Sequence, residues 1–155
     1  MTFRITGLPA DPFRPMWGLP DDELAAHRAR RVVCDSSPGF PDRIELREAE
    51  PGETVLLVNH LHQGAESPYR SAHAVYVLEG ATARYDAVGV VPAVLRRRML
   101  SLRGFDAAGM MVDADIVDGA EVEPLIERLL AQPAIAYVHA HYAKRGCYAA
   151  RIERA

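Results

Sequence analysis

The sequence predicts an α+β fold: a mostly antiparallel sheet with an amphipathic helix packed on one face, in a single domain over residues 1–155. Three observations predict it. Short runs alternating apolar and polar side chains recur along the chain, notably at 44–46, 54–62, 75–78 and 110–117. The stretch 121–131 places Val122, Leu125, Ile126, Leu129 and Leu130 at helical spacing, one apolar stripe. Glycine turns such as Pro51-Gly52 and Lys144-Arg145-Gly146 separate the runs as hairpin connections do.

Taken in order, Phe3 and Ile5 alternate with polar neighbours and make a short first strand. Pro9, Pro12, Pro15 and Pro20 keep residues 7–20 irregular. Asp21 is an N-cap, and Asp22 and Glu23 suit the first turn of a helix reaching about Arg30. Arg31-Val32-Val33 begins an extended segment that the turn cluster 36–41 closes. Ile44 and Leu46 form a half-buried strand, turned by Pro51-Gly52 into an antiparallel partner over 54–62. On that second strand Leu56, Val58, His60 and His62 share a face. Beyond the loop 63–72, Val75 and Val77 mark another strand with His73 at its mouth.

Pro92 opens a helix to about Leu100 with Val91, Val94, Leu95 and Met99 as its stripe, and Arg98 on the same stripe. Residues 102–105 are extended, and 106–109 turn into a strand from Met110 to Val117. On it Met110, Val112, Ala114 and Ile116 oppose Asp113 and Asp115, two carboxylates available to a metal site or to solvent. The helix 121–131 tolerates Pro124 in its first turn and ends at Pro133. In the strand 134–142, Ala136, Val138, Ala140 and Tyr142 suit the helix, leaving Ile135, Tyr137, His139 and His141 on the other face. A three-residue loop ending at Gly146 pairs Ala143 with Cys147, so Cys147 and Arg151 join the histidine face of the last strand, 147–152. A two- or four-residue loop puts Cys147 on the opposite side.

Composition narrows the function. With 155 residues, 49% apolar and 25% charged, the chain has the make-up of one soluble domain. Eighteen basic against twenty-one acidic residues, without a basic stripe, exclude phosphate-driven nucleic-acid binding. Cys34 and Cys147 are too few for a disulfide framework or a four-cysteine zinc site. Met1–Gly7 has no signal pattern, and no apolar run approaches the roughly 20 residues of a membrane span, so a soluble, cytoplasmic protein is expected.

The chemistry gathers in residues 59–73, which hold three of the six histidines, and around His139 and His141. Two His-x-His pairs on strands, His60 with His62 and His139 with His141, each present both rings on one face. Tyr69, Arg70, Arg98 and Arg103 add donors whose geometry matches carboxylate or phosphate. The expected site is therefore a pocket lined by His60, His62, Tyr69, Arg70, His73, Arg98, Arg103, His139 and His141, taking a small anionic metabolite. A metal held by His60, His62, His139 and His141 is the alternative, and a non-catalytic interaction protein or homodimer the third reading. Cys147 beside the histidines is the candidate nucleophile. The sequence leaves the cofactor unknown.

Pro38-Gly39-Phe40-Pro41, Ser67-Pro68-Tyr69-Arg70, 98–103, His139-Ala140-His141 and Gly146-Cys147-Tyr148 together resemble the bacterial family called domain of unknown function 1203. The resemblance covers nearly the whole chain and brings no assigned activity with it. Where relatives carry a cysteine before the arginine matched by Arg43, this chain has Asp42, which argues against two-cysteine chemistry there.

Overall fold

The computed structural model describes residues 2–155. Among these residues nine strands form two antiparallel sheets: β1 (Phe3–Thr6), β2 (Ala29–Val33), β3 (Thr54–Gln63), β4 (Ser71–Leu78), β5 (Asp86–Val88), β6 (Met99–Phe105), β7 (Met111–Asp118), β8 (Tyr137–Tyr142) and β9 (Tyr148–Arg154). One sheet has the order β5-β1-β9-β8-β6-β7, the other β2-β3-β4. The helices are short: α1 (Asp21–Ala26), α2 (Ala93–Arg96) and α3 (Glu123–Leu130). Among the described residues no helix is long and apolar enough to cross a membrane.

Alternation along β6 and β8 sorts the large sheet into two faces. Leu100, Leu102, Val138 and Ala140 are buried in one cluster with Leu125, Ile126, Leu129 and Leu130 of α3 and Val94 and Leu95 of α2. The intervening residues Ser101, Arg103, His139 and His141 take the opposite face, paired Ser101 with His141 and Arg103 with His139. A second cluster joins Leu56 and Val58 of β3, Val75 and Val77 of β4, and Tyr148 of β9. The small sheet thus meets the large one on its histidine face.

Four expected elements differ, the first being the helix expected from an Asp21 cap to about Arg30, which has Pro20 at its N-cap and ends at Ala26 before β2 begins at Ala29. Residues 44–46 make no strand; β3 pairs instead with β2 and β4. Ile44 and Leu46 are buried, but Leu46 sits at φ 49°, and 42–49 is a strap whose two ends close on each other through one isolated bridge, Pro41 to Glu48. The strap ties the sheets together: Asp42 accepts from the Leu78 amide of β4 at 2.7 Å, and Arg43 Nε donates to the Tyr148 carbonyl of β9 at 2.9 Å. The helix expected from Pro92 to Leu100 stops at Arg96, because the alternation of Leu100 and Leu102 draws the chain into β6. β8 begins at Tyr137 rather than 134; Ile135 turns into the helix-side cluster and Ala136 is exposed.

Candidate functional site

β3 and β4 bring their histidines to one end of the inner face of the small sheet. His60 stands opposite His73 in the ladder, beyond the buried pairs Leu56–Val77 and Val58–Val75. An irregularity between Leu61 and Gln63 sets His62 against Ser71, its Nε2 lying 3.0 Å from the serine hydroxyl. From the large sheet β8 supplies His139 and His141, and β9 supplies Tyr148, the ladder partner of His141.

Four imidazoles gather there. Ring centroids lie 4.4 Å apart for His62 and His73, 5.0 Å for His62 and His141, 5.4 Å for His73 and His141, and 6.1 Å for His62 and His139. Tyr148 stacks on His62 at 5.4 Å and forms a wall. A ring nitrogen of His62, of His139 and of His141 all lie within 4.8 Å of one another. His60 stays outside this trio, between Phe13 at 5.8 Å and Tyr148 at 6.2 Å.

Hydrogen bonding fixes what these rings can do. The His141 Nδ1 lies 2.9 Å from the Gly146 carbonyl, which can only accept. The proton therefore sits on Nδ1, and Nε2 presents a lone pair; a carbonyl accepting from the far ring nitrogen is what orients metal-ligating histidines. Nδ1 of His62, His73 and His139 and Nε2 of His141 are buried without a partner among the described residues. Such orphans are rare in native proteins and point to an ion, a water or a catalytic task.

Burial lowers the histidine pKa values, since a charged ring loses its hydration there. His62 falls to about 4, burial first and His73 second. His139 falls to about 3, with Arg151 reinforcing burial. His141 also falls to about 3, where the bond to Gly146 opposes burial and Arg103 reinforces it. At neutral pH the rings are neutral and offer lone pairs.

Of the other expected site residues, Arg103 lies with the cluster. It is half-buried, follows His139 across the ladder, and its Nε donates to Ser101 Oγ at 3.3 Å. Tyr69 is more peripheral, edge-on to Phe105 at 6.0 Å, and Phe105 in turn lies 5.2 Å from His139. Arg70 is engaged within its own loop by the Gly64 carbonyl and Glu66. Arg98 belongs to the other face, paired with Glu48 and lying over Tyr142. Asp113 and Asp115 also turn away, to Gln132 and Arg128.

The register argument for Cys147 fails. The Gly146 amide donates to the Tyr142 carbonyl and the Tyr142 amide to the Cys147 carbonyl, which makes the loop four residues long. Gly146 does take the left-handed conformation, at φ 79°. Cys147 packs against the helix-side cluster, its thiol accepting from the buried Arg43 at 3.0 Å. Tyr148 takes the place beside the histidines, and a bulge restores Arg151 opposite His139. Sequence reasoning missed Tyr148 because the loop is one residue longer than expected, which puts Tyr148 rather than Cys147 on the histidine face.

A family model described as "Protein of unknown function (DUF1203)" matches residues 39–154. No curated protein and no solved structure matches the chain.

Proposed function

The chain belongs to the family described as "Protein of unknown function (DUF1203)", and we propose from its site that it binds a divalent transition-metal ion through His62, His139 and His141. The observation that carries this reading is the trio of ring nitrogens within 4.8 Å of one another. That spacing admits the about 3.3 Å between nitrogens of a tetrahedral ion bound at about 2.0 Å. Neutral imidazoles suit zinc, copper, iron or nickel. The group contains no carboxylate, so three protein ligands leave one position open. An ion there would act as a Lewis acid toward whatever fills that position. α3 lies over the opposite face of the large sheet in this reading and leaves the histidine face to the site. His73 and Tyr148 bound the site but are not ligands.

Cobalt(II) tests the reading, because tetrahedral and octahedral ions differ strongly in visible absorption. Protein made without a histidine tag should bind one equivalent with a tetrahedral spectrum, and His141→Gln and His62→Gln should each lose it. An octahedral, variant-insensitive spectrum would count against the site.

A further inference from the structure

We propose that the histidine centre serves an organic acid whose anionic head lies on Arg103 and whose apolar body lies along the exposed face of β7. The inference rests on the metal reading above and names what takes the open position.

Arg103 is the distinctive cation of this face. Arg70 faces Glu66 and Arg151 faces Glu153. Arg103 has no carboxylate within ion-pair distance among the described residues, and its one side-chain hydrogen bond uses Nε. The forked end of the guanidinium is thus available for bidentate contact with a carboxylate. It is half-buried in a region of neutral rings, where an unpaired charge is costly and an anion offsets that cost. The nearest acids of β7 do not compete, since Asp113 and Asp115 are engaged on the helix side.

The apolar half of the argument follows from register. Arg103 pairs with Ala114, Ser101 with Ile116, and Met99 with Asp118. Met99, Val112, Ala114 and Ile116 therefore share the face of Arg103, His139 and His141. Ile116 is 59% exposed, Met99 48% and Val112 40%, unusual for an edge strand facing water. Ile116 lies two residues from Ala114, roughly 6.6 Å along the strand. An anionic head on Arg103 thus leaves a short acyl chain or one aromatic ring over Ile116. Inorganic phosphate would leave this strip bare. A second copy is a poorer occupant, because antiparallel pairing of β7 with itself would bring Asp113, Asp115 and Asp118 of both chains together.

The test uses octanoate and acetate in calorimetric titrations of protein whose zinc affinity has first been measured alone. Octanoate should bind zinc-loaded protein at one site, at least tenfold tighter than acetate. Arg103→Gln should weaken both acids at least tenfold, and Ile116→Ser should weaken octanoate alone. A cooperative urea transition and one equivalent of bound zinc in both variants keep a folding defect from imitating the result. Equal affinity for the two acids, indifference to Arg103→Gln, or a dimer that hides β7 overturns the proposal. Failure to bind zinc overturns the metal reading instead, and the first titration reports it separately.

Discussion

His139 and His141 are 3% and 0% exposed, and their pKa values near 3 have a consequence for stability. An unfolded histidine titrates at about 6.5, so between there and the folded values the unfolded chain holds more protons. Stability contributed by keeping these rings neutral is complete above pH 6.5 and is lost as the pH falls toward the folded values. For two buried rings the metal-free protein should lose roughly 2–3 kcal/mol per pH unit below about pH 6. Urea unfolding at pH 4.5, 5.5 and 7 measures this, and a pH-independent midpoint would contradict the neutral-ring assignment. Arg43 is a second residue-scale case: 1% exposed, it donates to the carbonyls of Tyr148 and Pro41 and to the Cys147 thiol. Arg43→Met strips those two buried carbonyls of a donor at roughly 1–3 kcal/mol each, a loss that chemical denaturation should show. The histidines of the site were legible because His-x-His on a strand fixes a shared face. The role of Arg43 was not, since nothing local tells a buried arginine from a solvated one.

Among elements, α3 carries the clearest sequence signal, and Leu129, fully buried in the helix-side cluster, is its most exacting position. Leu129→Ala should cost roughly 2–5 kcal/mol in denaturant unfolding. The exposed neighbour Arg128→Ala should cost well under half of that, as expected of a surface ion pair. Near-wild-type stability for Leu129→Ala would remove α3 from the core. Strand runs at 54–62 and 75–78 were legible for the reason α3 was: burial imposes its period on the side chains. Periodicity misled where burial came without a ladder, as at Ile44 and Leu46 in the strap. It misled again where two periods abut, since Val94 and Leu95 pack as helix while Leu100 and Leu102 alternate as strand. The parity of Cys147 depended on one residue of loop length, which a glycine at the turn does not determine.

At the scale of the whole molecule, the proposed ligands come from different sheets: His62 from the three-stranded sheet, His139 and His141 from the six-stranded one. Among the described residues no ladder hydrogen bond joins the sheets, which meet through side chains such as Tyr148 and through the 42–49 strap. An ion bound by all three histidines would therefore act as a clip across the interface, and its binding energy would oppose separation of the sheets as well as unfolding. At a hundredfold excess over Kd, zinc should stabilise the protein by about 2.7 kcal/mol. For a chain of this length that is a rise in Tm of roughly 5–10 °C. Hydrogen exchange locates the effect: amides of β3 and β4 should slow together with those of β6 and β8, because opening either sheet from the other now costs the ion. His62→Gln should abolish both the rise in Tm and the slowing in the small sheet. His73→Gln, which removes a neighbouring ring but no proposed ligand, should keep both. Zinc protection confined to the large sheet would show that β8 alone holds the ion, and would sink the bridging site.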